Sequence, residues 1–215
     1  ETEVSEATRM ATFTPGSDAA RKAASKLEVP RIGVRFRLPA QMNNVQYFGR
    51  GPEENYTDRN HGTVVGVYKT TADKMYFNYV RPQENGHRTD TRWIALSPDK
   101  GKGLVIVADS LVGFNALRNS IEDFDSEEAL PHPYQWSNFT PEEVANHNEK
   151  AARNVLRRMH HVNDITPRDF VEVCVDMKQQ GVGGYDSWGS RPEPIYQIPA
   201  NREYNWGFTL VPVRS

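Results

Sequence analysis

The sequence predicts an all-β protein with one helix late in the chain. Short apolar or alternating runs recur from residue 31 to the end, as expected for strands of a sandwich. The rhythm of strand, helix and strand that builds a parallel sheet is missing, and the sequence contains no internal repeat. No stretch has the composition of a linker, so we expect an all-β sandwich rather than two separate domains.

Four strands are predicted between residue 31 and residue 80. In residues 31–38, apolar side chains alternate with arginines, which is the pattern of a half-buried strand, and Pro39 ends it. Runs of β-branched and aromatic residues predict the other three strands, at 45–48, 64–68 and 76–80. Before them, residues 1–13 alternate weakly and predict the end of a further strand.

The rest of the chain supplies the remaining strands. Residues 104–108 are wholly apolar, which predicts a strand of the sandwich core, and 114–118 continues the sheet. Asn85-Gly86 is typical of a hairpin turn. The charges of Arg88, Asp90 and Arg92 then predict a salt-bridged ladder along one strand face. The last strands are predicted at 170–175, 196–199 and 204–213.

One helix is predicted between these strands. Thr140 is a good N-cap, Pro141 suits the first helical position, and Glu143 completes a capping box. The helical pattern continues to His160, where a histidine pair suits the C-terminal end of the helix dipole. No third ligand has metal spacing relative to His160 and His161, so the pair fits capping or packing better than zinc binding.

Composition excludes several classes of function. A formal net charge of −2 leaves no basic patch for nucleic acid. No window approaches the 18 or so apolar residues of a membrane span, and the first residues lack the pattern of a secretion signal. The single cysteine, Cys174, lies in an apolar alternation and is expected to be a buried, inert thiol, which leaves the compartment open, cytoplasmic or periplasmic.

The most unusual stretch is the glycine-rich run at 181–190, which reads GVGGYDSWGS. Four glycines in nine positions cannot hold a regular strand, and they let the backbone approach a neighbouring group closely. The run carries one large aromatic residue, Trp188. It either plugs the end of the sandwich or stacks against a flat ligand face such as one side of a sugar ring. Asp186 and Ser187 are expected to fix the loop.

Three separated motifs resemble one family. Residues 47–59 read YFGRGPEENYTDR, residues 82–93 read PQENGHRTDTRW, and residues 176–189 read DMKQQGVGGYDSWG. In this order they resemble signatures of the C-terminal domain (small-chain type, domain 5) of the β-galactosidases of glycoside hydrolase family two. The chain departs from the pattern at residues 141–160, which are longer than usual, and at Tyr185, where an acidic or amide residue is common.

The resemblance implies a supersandwich of the galactose-mutarotase-like type. It implies that residues 1–215 form a C-terminal domain, truncated on its N-terminal side, of an enzyme that hydrolyses terminal non-reducing β-D-galactose residues with retention. In that family the two catalytic carboxylates and the metal ligands come from a central (β/α)₈ barrel. Nothing in this sequence resembles the barrel. The isolated chain is therefore expected to be inactive, to contain no catalytic residue and to bind no cofactor, with any Mg²⁺ or Na⁺ held in the missing domains.

The resemblance also assigns a role to Trp188. In the family the tryptophan of this loop forms an apolar platform for the sugar, chiefly on the aglycone side. The implied partners are a β-galactoside and the catalytic barrel domain of the same parent chain. Because truncation would expose strand edges, self-association into a homo-oligomer is a further hypothesis.

Two other functions remain open from the residues alone. A stand-alone carbohydrate-binding module would use Trp188 with Tyr185 or Trp136 as stacking plates. An epimerase of the mutarotase type would need a histidine and a carboxylate facing one cleft, and His87 and His161 are the histidines available for that role.

Overall fold

The computed structural model describes residues 29–80, 82–124, 162–184, 186 and 190–214. Seven strands and one short helix lie within them. The elements are β1 (Arg31–Pro39), β2 (Asn44–Gly51), β3 (Val64–Thr71), α1 (Ala72–Met75), β4 (Arg88–Ser97), β5 (Lys102–Leu117), β6 (Phe170–Gln179) and β7 (Phe208–Arg214). The helix predicted at 141–160 and the strand end predicted at 1–13 lie outside the described residues.

The described strands form one antiparallel sheet in the order β1-β6-β5-β4-β2-β3. Strand β5 is central to the sheet, because its 16 residues are long enough to pair with two different strands along the same edge. Its first half, Lys102–Ala108, pairs with β7, and its second half, Gly113–Leu117, pairs with β6. The all-β prediction is confirmed, and no described helix has the length and apolar character needed to cross a membrane.

The core lies on one face of this sheet. Strand β2 shows why, since every second residue from Val45 is buried, as the two-residue period of a strand requires. Tyr47 and Phe114 are both fully buried and meet edge to face, with ring centroids 5.1 Å apart. Buried apolar residues from four strands, β2, β4, β5 and β6, form most of the cluster, among them Val45, Ile94, Leu96, Ile106, Val173 and Val175.

The prediction of a strand at 76–80 was wrong, and so was the hairpin assigned to Asn85-Gly86. Residues 76–80 have no strand partner, because the Phe77 amide donates instead to Asn85 Oδ1 at 3.2 Å. Gly86 has a φ of +77°, and a Cβ there would lie 2.9 Å from the carbonyl oxygen of Met75. The glycine therefore serves a close backbone approach rather than a turn between two strands.

The salt-bridged ladder predicted along β4 was also wrong. Asp90 has a φ of +52°, and the β4–β5 register shifts on either side of Thr91, so the two-residue alternation is broken. Asp90 pairs with Arg50 of β2. Arg88 turns inward and is buried, whereas the guanidinium of Arg92 lies over the ring of Phe48.

Two further predictions were only partly right. In β1, Val34 is 44% exposed, although the alternation predicted it to be buried. The pairing of β1 with β6 shifts register between Ile32 and Gly33. At 196–199 the expected strand does not form: Tyr196 ends the 3₁₀ turn Pro194–Tyr196, and no strand of the sheet includes these residues. The last strand, predicted from residue 204, begins at Phe208.

Replacing Phe114 with alanine tests the position of the core. Phe114→Ala removes a fully buried ring and leaves a cavity against Tyr47, so we expect the free energy of unfolding to fall by about 3–5 kcal/mol. Urea unfolding followed by circular dichroism measures this loss. Leu111→Ala on the same strand is the matched control, because Leu111 is half exposed and its loss should cost less than about 1 kcal/mol. Equal losses in the two variants would contradict this placement of the core.

Candidate functional site

The three motifs, far apart in sequence, lie together in the fold. The first motif forms the end of β2 and the loop that follows, the second leads into β4, and the third forms the end of β6 and the glycine-rich run. Hydrogen bonds, one aromatic stack and ion pairs join each motif to the other two. The candidate site is this polar network together with the cleft beside the glycine-rich run.

Asn55 joins the first motif to the second. Its side chain is fully buried and uses both ends of the amide. The Nδ2 group donates to the carbonyls of Arg50 and Glu53 at 3.2 and 3.0 Å. The Oδ1 atom accepts from the backbone N–H and from the hydroxyl of Thr89, at 2.9 and 2.6 Å. The backbone N–H of Asn55 donates to the His87 carbonyl at 2.8 Å. Asn55 thus satisfies backbone groups that could not be buried alone.

Glu54 supports the same loop from its other side. Its carboxylate is almost fully buried and accepts from the Gly86 amide at 2.8 Å and from Arg59 Nη2 at 2.7 Å. It also accepts from the Tyr79 hydroxyl. A carboxylate held by three donors is positioned firmly, and its charge is balanced by Arg59. Glu54 is therefore a structural anchor rather than a free acid or base.

His87 lies inside the network and faces no cleft. It is fully buried and stacks on Tyr56, with ring centroids 5.4 Å apart and planes 19° apart. On its other side, a Cβ at Gly113 would lie 2.3 Å from His87 Nε2, so only glycine fits there. Burial, together with Arg31 and Arg88, lowers the pKa of His87 well below its usual value, and the ring is neutral at pH 7. This placement argues against the epimerase hypothesis, and His161 lies outside the described residues.

Arg31 joins the third motif to the second. Its Nε lies 2.9 Å from Asp176 Oδ1, and its Nη1 lies 3.3 Å from Glu84 Oε2. One guanidinium thus serves two carboxylates, and Asp176 is almost fully buried. Burial raises the pKa of Asp176 to about 7 in spite of the opposing effect of Arg31. His87 Nδ1 lies 3.7 Å from Asp176 Oδ2, which is too far for a direct hydrogen bond.

The glycine-rich run is held by the first motif. The amide of Gly183 donates to Asp58 Oδ2 at 2.8 Å, across 125 positions of sequence. A Cβ at Gly181 would lie 2.5 Å from the same oxygen, and one at Gly184 would lie 2.2 Å from the carbonyl oxygen of Ser190. Side chains at these two glycines would therefore collide with neighbouring atoms. The close approach predicted from the sequence is confirmed here.

A small cleft opens beside this run. It has a volume of about 280 Å³ and is lined by Asp58, Gly183, Gly184, Arg191, Glu193 and Tyr196. Carboxylates, a guanidinium and an aromatic ring are the groups that usually contact sugar hydroxyls and sugar faces. A larger hollow of about 940 Å³ is lined by parts of β1, β2 and the β4–β5 turn. None of the residues that line it belongs to the three motifs.

The predicted site residue Trp188 lies outside the described residues, as do Tyr185, Ser187 and Trp136. Asp186 is described, and its Oδ1 accepts from the Ser190 amide at 3.3 Å, which agrees with the loop-fixing role expected for it. Cys174 is buried, and burial raises the pKa of its thiol to about 12, so its expected inertness is confirmed. Within the described part of the chain, no group of three or more histidine, cysteine or acidic side chains is arranged to hold a metal.

Comparison with known proteins identifies the family. The family model of the β-galactosidase small chain matches residues 3–210. The chain belongs to the β-galactosidase small-chain family. The three motifs were therefore a reliable guide to the family, and the network described above is a feature of one of its small-chain domains.

Several curated β-galactosidases are similar to this small-chain domain. One from Priestia megaterium is 33% identical over 186 residues, which is 86% of this chain and 15% of that protein. One from an Arthrobacter species is 40% identical over 124 residues, which is 55% of this chain and 12% of that protein. One from Streptococcus thermophilus is 27% identical over 185 residues, again 86% of this chain and 15% of that protein. The chain thus spans about 12 to 15% of the length of these relatives.

Sequence reasoning missed several residues of the network in this small-chain domain. Arg31 looked like an exposed arginine of an alternating strand, yet it forms ion pairs with Asp176 and Glu84. Tyr56 and Asp58 were quoted only as letters of a motif. The available signal was their position inside that motif, which carries near its start two glycines that are costly in a strand. Nothing local indicated that Asp58 would contact Gly183.

The buried carboxyl of Asp176 makes stability depend on pH. An unfolded aspartate loses its proton near pH 4, whereas Asp176 in the folded protein keeps it up to about pH 7. Between these values the unfolded chain binds fewer protons, so the free energy of unfolding should fall as the pH rises. The slope due to this group should approach about 1 kcal/mol per pH unit between pH 5 and 7. Urea unfolding from pH 4.5 to pH 8 measures it.

Two variants separate Asp176 from the other acids. Asp176→Asn cannot lose a proton, so its free energy of unfolding should fall less steeply with pH than that of the wild type. Asp99→Asn, at an exposed position of the β4–β5 turn, should keep the wild-type slope. The prediction fails if Asp176→Asn and the wild type show parallel pH profiles.

Proposed function

We propose that this chain is the C-terminal small-chain domain of a β-galactosidase that hydrolyses terminal non-reducing β-D-galactose residues. The observation that carries the proposal is the contact between the three family motifs, which form one network around the base of the glycine-rich run. The names of the relatives, all β-galactosidases, support the substrate class. In this proposal the domain supports the catalytic barrel and contributes to the sugar site.

We propose that the catalytic carboxylates are supplied by the barrel domain. A retaining glycosidase needs two carboxyl groups about 5–5.5 Å apart that flank the scissile bond and reach the substrate. Two acids of the motif network already have other partners, since Glu54 is held by three donors and Asp176 is buried against Arg31. This commitment supports a non-catalytic role for the domain. Any Mg²⁺ or Na⁺ of the enzyme would be bound by the other domains as well.

The proposed contribution to the sugar site is Trp188. A pyranose presents C–H groups on one face, and an indole ring is a favourable surface for them. Trp188 lies in sequence between Gly184 and Ser190, whose backbones approach closely. The proposed platform faces the aglycone side of the β-galactoside.

We also propose that the isolated domain self-associates. Strand β3 ends the described sheet, and its Val64 and Val67 are 70% and 56% exposed. An edge strand with exposed β-branched residues offers unpaired backbone groups and apolar surface to a second copy. In the whole enzyme the same surface would be available to another domain or subunit.

A carbohydrate-binding module is the second candidate. The cleft of about 280 Å³ beside Tyr196 favours it, because a polar cleft with an aromatic wall can bind a sugar without a catalytic domain. Titration of the isolated chain with galactose distinguishes the two functions. Millimolar or tighter binding that Trp188→Ala abolishes would favour the module.

Replacing Trp188 tests the platform. In the full-length enzyme, Trp188→Ala should lower kcat/KM for a chromogenic β-galactoside roughly tenfold, which corresponds to about 1.4 kcal/mol of transition-state binding. Trp206→Ala is the aromatic control, because Trp206 packs against the apolar core and Phe208 and should affect stability rather than activity. An unchanged rate in the Trp188 variant, with the fold intact, would leave this residue as a packing group.

The isolated chain separately tests the proposal that the catalytic carboxylates are supplied by the barrel domain. We expect the purified 215-residue chain to release no chromophore from a β-galactoside above the rate in buffer, because the catalytic carboxylates lie elsewhere. The measurement is a long incubation at micromolar protein. Turnover that survives repurification would contradict the proposal.

A further inference from the structure

We propose that the outward face of the sheet, which is the face opposite the apolar core, receives a second β-sheet from another part of the parent enzyme. The outward face is centred on Trp93 of β4. The inference rests on the proposed function, because it requires the parent enzyme. It names the surface through which this chain would join the rest of that enzyme.

Two rows of directly paired residues form the outward face. In the first row, Phe48 pairs with Val67 on one side and with Trp93 on the other, and Trp93 pairs with Val107. Residues opposite each other in a sheet have their side chains on one face, as do residues two apart on a strand. The second row is two residues away on each strand and consists, from β3 to β7, of Lys69, Gln46, Ala95, Val105 and Val211.

The outward face is apolar and yet accessible. Val67, Val107 and Val211 are 56%, 42% and 39% exposed. The partly buried members are Phe48, Trp93, Ala95 and Val105. None of these side chains belongs to the apolar core cluster, and the solvated face of an antiparallel sheet normally carries polar residues. Apolar side chains in two adjoining rows therefore indicate a surface that another element covers in the assembled protein.

Charged side chains lie at the margin of the outward face. Lys69 is on β3, the strand at the end of the sheet. Arg50, two residues beyond Phe48, forms its ion pair with Asp90. The guanidinium of Arg92 lies 5.0 Å from the centroid of the Phe48 ring. An apolar centre with a charged rim is the usual arrangement of an interface.

A second sheet fits this face better than it fits the core face. Sheets that pack face to face lie about 10 Å apart, and rows of short side chains such as valine and alanine interdigitate between them. The core face has no room for such a sheet, because Ile94 and Ile106 at its centre are already fully buried within this chain. The described strands form one sheet, so the second layer of a sandwich belongs on the outward face.

The size of the face favours the parent enzyme over a second copy of this chain as the source of that sheet. Five strands about 4.8 Å apart, each contributing about five residues of 3.4 Å, cover roughly 300 Å². A stable interface between separate proteins needs about 800 Å² on each side. A neighbour on the same polypeptide escapes this limit, because the covalent connection supplies a high effective concentration. The relatives offer such a neighbour, since this chain spans only 12 to 15% of their length.

Cysteine labelling tests whether the parent enzyme covers the face. Val107→Cys places a thiol on the outward face. Leu210→Cys is the matched control, because Leu210 is 49% exposed but pairs with Ile106 and so lies on the core side of the sheet. The single native cysteine, Cys174, is buried and its thiol has a raised pKa, so it should not react. Maleimide labelling of the 215-residue chain and of the full-length enzyme is measured by mass spectrometry of the peptide that carries the new thiol.

The two thiols should behave differently. Val107→Cys should react readily in the 215-residue chain and at least about tenfold more slowly in the full-length enzyme, because reaction there requires local opening. Leu210→Cys should react at rates within about threefold of each other in the two proteins. Equal rates for Val107→Cys in the two proteins would overturn the inference, and so would equal protection of both thiols.

A pair of aspartate variants provides a second measurement. Val211 and Leu210 are neighbours on β7 with similar exposure, and they lie on opposite faces. In the 215-residue chain, Val211→Asp and Leu210→Asp should lower the Tm by similar amounts. In the full-length enzyme, Val211→Asp should lower the Tm by at least about 5 °C more than Leu210→Asp, because it buries a charge between two sheets. Equal shifts in the full-length enzyme would contradict the inference.

The remaining outcomes identify the occupant and separate this inference from the proposed function. If Val107→Cys in the 215-residue chain becomes protected as its concentration rises, a second copy covers the face and the inference is wrong. If the full-length protein hydrolyses no β-galactoside but protects Val107→Cys, the proposed function fails and this inference stands. If it hydrolyses the galactoside and leaves Val107→Cys reactive, the inference fails and the proposed function stands.

Discussion

The ion pairs of Arg31 are the interaction on which the arrangement of the motifs depends. The guanidinium lies 2.9 Å from Asp176 Oδ1 and 3.3 Å from Glu84 Oε2, so it connects β1, β6 and the segment before β4. Leaving a buried carboxyl without its partner is costly, and this cost ties the three segments to one another. The glycine-rich run follows directly after β6, so the same ion pairs decide where that run begins.

Glycine makes this dense polar network possible. A Cβ at Gly33 would lie 2.1 Å from Asp176 Oδ1, and one at Gly113 would lie 2.3 Å from His87 Nε2. Both glycines belong to strands in which the residue is normally unfavourable. The low strand propensity of glycine is offset at both positions, because the missing side chain lets the backbone approach a buried charged or aromatic group. The glycines of the third motif follow the same principle around Asp58.

The network is built for position rather than for chemistry. Its histidine is buried and neutral, Glu54 accepts from three donors, and Asp176 is enclosed by Arg31 and the sheet. None of these three groups lines the cleft beside the glycine-rich run, but their contacts can hold a loop in place. This character supports the proposed role of a small-chain domain that assists a catalytic domain.

The sequence by itself determined the all-β class, most strand positions and the family, because apolar alternation and the order of residues within a motif are local properties. Strands β2 and β6 follow directly from their apolar pattern. Local pattern failed at 76–80 and at Arg88, where a buried amide and a broken register override propensity. Only the tertiary structure decided that Asp58 meets Gly183 across 125 positions, because that contact depends on the pairing of distant strands and leaves no periodic signal in either segment.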